Sequence, residues 1–353
     1  MISIQNHLAI PHAEVYLNQQ AENHWERLNG TRVDGSFRKT ALIQKIHVSL
    51  AESFNDEYRK NFANDDAVAA ARHQRFFEYL TDFDNFNLHE IIIAAPKDLE
   101  LIKCEVMSIL WPVDLYFLQN GGLAQTVFGR FLSEELFAYQ KFRRSSSCKK
   151  LITAIGFDSV TCPYCNYNQL DLVPNLGTPN VLDDATLYLD LDHFFSKSQH
   201  PFFGVSFFNL IPACHSCNSV DKGAKLFSVD TQMHPYVHSF DDYFKFRVSL
   251  VAILGDPIDR ILIDAIIPRP LDQSIENFNL LAKYDHLLSA VFGLIERFVK
   301  FKKYIGTPQE ADFVELLLGD IPTNNKDILR HSCAKFKRDI LAQLDVGDAL
   351  KIR

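Results

Sequence analysis

Thr161-Cys162-Pro163-Tyr164-Cys165-Asn166, Leu189-Asp190-Leu191-Asp192-His193-Phe194-Phe195-Ser196-Lys197-Ser198 and Phe208-Asn209-Leu210-Ile211-Pro212-Ala213-Cys214-His215-Ser216-Cys217-Asn218-Ser219-Val220-Asp221-Lys222-Gly223 are the pieces of this sequence whose reading decides the fold. Each CxxC places two thiols on one tight turn, and two such turns can close a tetrahedron around a zinc ion. Cys162, Cys165, Cys214 and Cys217 are therefore the expected ligands of a structural Zn2+, with redox thiols as the alternative. The gap between the pairs is 48 residues, Cys165 to Cys214, longer than in a simple zinc ribbon. A substantial insert must lie between the two knuckles, too small to build a large core alone.

Inside that insert, Leu187 to Asp192 alternates as a strand does and ends in an Asp-His pair. Neighbouring residues of a strand point to opposite faces, so Asp192 and His193 diverge unless the strand ends there. Cys214 to about Leu226 reads as the opening of a helix, with Asn218 one turn in. A strand-loop-strand-helix unit would bring Asp192 and Asn218 together while His193 faces across a groove. Two oxygen ligands, an imidazole and an open, wet position are the minimum for metal-assisted hydrolysis.

The ordered combination CPYC, DH, NL and CHSCNSVDKG resembles the HNH, or ββα-metal, nucleases found in colicins, homing endonucleases, restriction enzymes and the RNA-guided CRISPR effector. The likeness covers roughly Thr161 to Lys225, under a fifth of the chain. It implies that Asp192 and Asn218 hold a catalytic Mg2+ or Mn2+, and that His193 is the general base which deprotonates water. Asn209 would pin the loop that orients the base, and the four cysteines would be the zinc staple. With Asn218 at the third motif position the chain is an HNN variant. Magnesium's preference for hard oxygen ligands and histidine's near-neutral pKa suit these roles. The Asp-His-Phe-Phe-Ser-Lys-Ser and Asn-Leu-Ile-Pro-Ala-Cys-His-Ser-Cys-Asn pieces also resemble HNH subunits of bacterial anti-phage systems of the Septu type, which pair such a nuclease with an ATPase. The expected activity is endonucleolytic hydrolysis of DNA under the control of a partner subunit. A catalytically silent zinc module that binds nucleic acid or protein, a lone restriction or homing enzyme, and RNA cleavage are the competing readings.

Several neighbours have a plainer reading. Asp190 shares a strand face with Asp192 and could assist a metal. Lys197 and Lys222 either hold phosphates or are solvated. His215, His200, His234, His238 and Asp221 read as exposed or loop residues, although His234-Pro235-Tyr236 recurs after the core in some defence nucleases.

Outward from the motif, residues 1 to 150 read as a helical region, 151 to 240 as the nuclease core and 241 to 353 as a strand hairpin followed by helices: an α+β chain, mostly helical around a small ββα core. Asp65-Asp66 before Ala67-Val68-Ala69-Ala70-Ala71 marks a helix start. Lys97 to Gln119 reads as two helices or one kinked at Pro112, Gly121-Gly122 as a break, and Ala124 to Phe142 as helix again. Phe244 to Leu254 and Arg260 to Ile267 read as strands joined through Gly255-Asp256-Pro257, with helices from about Leu271 and a break over Gly319 to Asn325.

Lys141, Arg143, Arg144, Lys149 and Lys150 form a basic run without an acidic residue, either a solvated helix end or a phosphate clamp beside the motif. Arg297, Lys300, Lys302 and Lys303 read as the polar side of an amphipathic helix. The net charge of −8, from 36 basic and 44 acidic residues, argues against a general DNA-binding protein and leaves room for a nuclease delivered by a partner. Seven cysteines in an odd, paired pattern favour metal over disulfides, with Cys104, Cys148 and Cys333 as inert thiols. No apolar run is long enough for a membrane span, and the N-terminal residues lack a secretory pattern, so the expected compartment is the cytoplasm.

Overall fold

Acidic residues ahead of a run of strong helix formers start the longest helix of the N-terminal part, and Asp66 caps it by accepting the Val68 amide at 2.7 Å. The computed structural model describes residues 1–178, 181–249 and 260–352. Helix α1 (Ala13–Leu28) and α2 (Leu42–Glu52) pack on α3 (Ala67–Ile93). Helix α3 is broken at its middle, where Phe83, Asp84 and Asn85 all adopt positive φ. Helix α4 (Pro96–Ile109) begins with a proline, which needs no amide partner there.

The expected second helix before Gly121 is not formed. Pro112 opens a single turn, Pro112–Leu115, and the chain then becomes strand β1 (Tyr116–Gln119), paired antiparallel with β2 (Gly122–Gln125). Asn120 and Gly121 at the tip have φ of 50° and 78°, the pair of positive values that a two-residue hairpin turn requires. The reading of Gly121-Gly122 as a helix break missed that Asn-Gly signal. After β2 come a short turn of helix, Val127–Arg130, a π-helical stretch, Phe131–Leu136, then α5 (Tyr139–Arg143) and α6 (Ser146–Ala154).

Strands β3 (Ser159–Thr161), β4 (Gln169–Val173) and β5 (Thr186–Tyr188) form one antiparallel sheet, and the first CxxC lies in the turn between β3 and β4. The run that alternates from Leu187 is divided. After Leu189 the chain leaves that sheet and β6 (Asp190–His193) pairs with β7 (Leu210–Ala213), setting Asp190 opposite Ala213 and His193 opposite Leu210. A π-helix, Ser216–Lys222, follows β7 directly. The order is strand, loop, strand, helix, with the expected helix cut short at Gly223, where φ is 49°.

In the C-terminal part, β8 (Phe244–Val248) pairs antiparallel with β9 (Ile261–Ala265). The turn read at Gly255-Asp256-Pro257, with the end of the first expected strand, lies outside the described residues. Helices α7 (Leu280–Asp285), α8 (Leu288–Phe301), α9 (Glu310–Leu318) and α10 (Ala334–Leu344) complete the chain, and Gly319 ends α9 with a φ of 51°. No helix among the described residues is long and apolar enough to cross a membrane.

The flanks share the core of the motif region. One hydrophobic cluster runs from Met1 and Ile4 through Phe76, Phe128 and Phe203 to Phe336 and Leu341. His24 of α1 reaches the Val205 carbonyl at 2.8 Å, and the Ile2 amide donates to Pro163 O at 2.7 Å. Asn166, the residue after the first CxxC, is the hub toward the C-terminal part. Its buried amide donates to Thr161 Oγ1 at 2.7 Å, Ile328 O at 3.0 Å and His331 O at 3.1 Å, and accepts from the Lys335 amide at 2.9 Å. Truncation would strand several buried polar groups and remove a residue suited to its φ of 50°. Asn166→Ala should therefore lower stability by about 2–4 kcal/mol, read from denaturant unfolding. An unchanged midpoint would show that the hub is dispensable.

Candidate functional site

The β3–β4 turn and the start of the π-helix converge on four sulfurs. The Sγ atoms of Cys162, Cys165, Cys214 and Cys217 lie within 4.8 Å of one another, and all four residues are buried. A tetrahedron with metal–sulfur bonds of about 2.3 Å has edges of about 3.8 Å. Cys165 Sγ and Cys214 Sγ are 4.0 Å apart. The donor set is close enough to hold a metal ion and is compatible with structural zinc. Its surroundings suit negative sulfur: Asn168 Nδ2 donates to Cys214 Sγ and Lys283 Nζ to Cys217 Sγ, both at 3.2 Å. Without a cation the four thiols share protons unequally: donors from Cys162, Cys165 and Cys217 hold Cys214 down, while burial and the neighbouring thiols push Cys162 up and Cys165 and Cys214 push Cys217 up. Lys283 comes from α7 and also pairs with Asp221, so Asp221 is a bridge to the C-terminal part rather than a free surface charge.

His193 ends β6. Its Nε2 lies 3.0 Å from the Gly204 carbonyl, which can only accept, so Nε2 carries the proton and Nδ1 keeps its lone pair. Tyr139 of α5 meets the imidazole edge-on at 4.4 Å between centroids and bonds to Leu191 O at 3.2 Å. Burial pushes the His193 pKa down to about 3, against the Gly204 carbonyl, with Lys197 and Lys222 lowering it further. The loop that leaves His193 is clamped by Asn209, fully buried at the start of β7. Asn209 Oδ1 accepts the Phe195 amide at 2.7 Å, while its Nδ2 donates to Phe203 O at 3.0 Å and Phe195 O at 3.2 Å. One side chain thus ties both ends of the 194–209 loop and sets where Gly204 meets the imidazole.

The expected pairing of Asp192 with Asn218 is not what the structure holds. Asp190 and Asp192 do share a face of β6, and the π-helix lies along it, but the rungs differ. Asn218 Nδ2 donates to Asp190 Oδ2 at 3.0 Å. Asp192 is gripped by Lys222, whose Nζ lies 2.7 and 2.8 Å from its two carboxylate oxygens, and by the Tyr164 hydroxyl at 2.7 Å. Both members of the Asp192–Lys222 pair are only 3% exposed. Lys222 also donates to the carbonyls of His193 and Phe194 and lies 4.5 Å from the Phe227 ring centroid. Burial lowers its pKa, with Asp192 opposing that shift. Both Asp192 oxygens are engaged where water is excluded, so an ion there would have to displace Lys222, and Lys222 is neither a phosphate holder nor a solvated lysine. The physical reason is the π-helical winding, with Gly223 N bonded to Asn218 O five residues back, which carries Lys222 onto the buried rung.

Beyond the hairpin and the π-helix, the site draws on the loop after His193 and on residues outside the motif. Lys197 Nζ stands 4.7 Å from the Tyr139 ring centroid, and its loop is held by Gln125 of β2 through the Lys197 carbonyl at 3.3 Å. Arg143, in the basic run, donates to Leu189 O at the start of β6, whereas Lys149 and Lys150 turn to Asp183. His234 is fully buried against Phe194, and Tyr236 reaches Leu210 O at 3.3 Å, so the His234-Pro235-Tyr236 turn braces the hairpin. Tyr164, Tyr139, Gly204 and Lys283 were not singled out in the sequence reading. Only Tyr164, inside the first CxxC, carried a local signal.

No protein-family model, curated protein or solved structure matches this chain.

Removing one partner of a buried pair leaves an uncompensated charge. Lys222→Met should cost about 3–5 kcal/mol, and Asp192→Asn added to it should restore much of the loss. Equal stability of single and double variants in urea unfolding would show that the pair is solvated.

Burial also holds His7, His24, His73, His193, His200, His234 and His238 below the usual histidine range. Below about pH 6.5 the unfolded chain binds protons that the folded chain refuses, so stability falls with pH. The loss should run from there toward pH 4, near the value to which His24, His200 and His238 are pushed. Scanning calorimetry should show a falling Tm over that window; a flat Tm would mean that these rings take up protons in the folded chain as they do in the unfolded one.

Proposed function

We propose that this chain is an HNH-type endonuclease that hydrolyses phosphodiester bonds, with DNA as substrate and zinc in the four-cysteine cluster. The observation that carries the reading is the Asn209 clamp and the Gly204 carbonyl together presenting His193 with a free Nδ1 lone pair. A base held this way is neutral at cytoplasmic pH and can take a proton from a water aligned on phosphorus. Its depressed pKa rises when an anionic phosphate arrives, because nearby negative charge favours imidazolium. In this reading Lys197, which stands beside Tyr139, and Arg143, which bonds to Leu189 O at the entry to β6, would hold phosphate oxygens. A closed set of four thiolates fits structural zinc, which would join the two ends of the insert.

Divalent magnesium or manganese belongs to the proposal, since it would stabilise charge on the phosphate. The ligand pair read from the sequence, Asp192 with Asn218, does not fit that role, because Asp192 is fully engaged by Lys222 and Tyr164. The same engagement favours one rival, a catalytically silent zinc module that binds nucleic acid or protein. The acidic balance of the chain supports delivery by a partner subunit, an ATPase in the defence-system reading.

Purified zinc-loaded protein should nick or cut plasmid DNA with manganese or magnesium and lose that activity in EDTA. His193→Ala should slow cutting by about 10²–10⁴-fold, the usual worth of a positioned base. The wild-type kcat/KM should hold its value below pH 6.5, because the free base titrates far lower. Absence of cutting on DNA and RNA, with the partner also supplied, would give the silent module the lead.

A further inference from the structure

We infer that the cleft between α8, α9 and α10 binds one amphipathic monoanion, an acyl-chain carboxylate, at a site separate from the motif. The proposal does not rest on the nuclease reading. The cleft has a volume of about 720 Å³ and is walled by Leu287, Val291, Leu294, Leu317, Ile321 and Phe336. That volume falls in the range of small-molecule sites, which are mostly apolar with a few polar groups. Leu316, at the same cleft, is 67% exposed, an apolar surface that an acyl chain would cover.

Helix α8 makes the concavity. Ala290, Gly293, Leu294 and Arg297 lie three or four positions apart, hence on one helix face, and all four line the cleft. A Cβ placed on Gly293 would meet nothing within 4 Å. Glycine within a helix is destabilising relative to alanine, and no close approach of a neighbour requires it here. What its missing side chain provides is room in the cleft.

The polar groups of the lining say what chemistry the occupant carries. Most are already engaged within the protein. Lys337 Nζ pairs with Asp320 at 3.3 Å, Ser332 Oγ donates to Tyr167 O at 2.7 Å, and Asn168 Nδ2 donates to Cys214 Sγ. Gln169 Nε2 donates to Ser159 Oγ and Asp171 Oδ1. Arg297 is the exception. Its Nε donates to Gly293 O at 3.1 Å, and among the described residues no carboxylate lies within ion-pair distance of its guanidinium. The two terminal nitrogens, at the edge of an apolar cleft, match one carboxylate in a forked pair. A sugar or a nucleobase would leave most of its hydrogen-bonding groups unmet in such a lining. One anionic head on an apolar chain meets both demands. Because Asn168 also serves a cysteine sulfur, the bound chain would lie against the turn that carries the metal cluster.

The experiment titrates sodium decanoate into the full-length, zinc-loaded chain by isothermal calorimetry, below its micelle concentration. One molecule should bind per chain. Octanoate should bind about tenfold more weakly, because two fewer methylenes are buried. Arg297→Gln should weaken decanoate by about fivefold or more, through loss of the charged fork. Gly293→Leu should fill the cleft and weaken decanoate by about tenfold or more, with Tm at or above that of wild type. Gly293→Ala, with a smaller loss of affinity, takes its place should the larger variant not fold. Failure of wild type to bind decanoate at millimolar concentration overturns the proposal, as does wild-type affinity retained in Arg297→Gln or in the folded Gly293 variant. A dimer in gel filtration that Gly293→Leu disperses also overturns it, since the cleft would then hold a second copy of this chain.

Discussion

Bringing Cys162 and Cys165 within 4.8 Å of Cys214 and Cys217 closes a loop of 48 intervening residues, and most of the middle of the chain follows from that closure. The β3–β4 turn must lie against the end of β7, so the strands between them have little choice of neighbour. β5 completes the first sheet, and β6 is delivered to β7 with Leu189 as the hinge. Four crowded thiolates would be costly to bury without a cation, and the amide and ammonium donors of Asn168 and Lys283 stand beside two of the sulfurs. Because Lys283 belongs to α7, the closure also recruits the C-terminal part, and Asn166 extends the same connection to the residues before α10.

Within the loop so closed, polar side chains do what an apolar core of this size cannot. Asn209 supplies hydrogen bonds to a loop whose only regular pieces are two single 3-10 turns, Pro201–Phe203 and Phe207–Asn209, and the His193 ring takes its orientation from the same segment through Gly204. The Asp192–Lys222 pair sits beside it, fully dry, and is bonded to the His193 and Phe194 carbonyls as well. A buried ion pair of this kind adds little net stability over an apolar substitute, yet it tolerates only one register of helix on strand. Its worth here is positional: it locks the π-helix against β6 and leaves Asn218 facing Asp190.

The motif spacing was legible because it follows from rules that hold locally. Two cysteines three apart share a turn, an alternating run makes a strand, and a helix must start near Asn218; each of these needs only a few neighbouring residues. The hairpin at Tyr116–Gln125 was equally local, since Asn120-Gly121 carries its turn, but the long apolar run before it looked helical and masked it. The division of Leu187–Asp192 between two sheets left no mark in the pattern, because alternation continues through Leu189 whichever sheet each half joins.

What the sequence by itself determined is the set of groups and their order: paired thiols, a strand ending in Asp-His, an asparagine at the next strand and another in the helix after it. The choice of partners belonged to the tertiary structure. Two residues along a strand span about 6.6 Å and four along a helix about 6 Å, so Asp190 and Asp192 could meet Asn218 and Lys222 in more than one pairing. Burial broke the tie. Lys222 and Asp192 lie where water is excluded and a charge must find its opposite, whereas Asp190 remains at the wet end, free to face an amide and an imidazole. Solvent exclusion is a property of the packed chain, contributed here by Tyr164, Phe194 and Phe227, and no spacing rule within the motif encodes it.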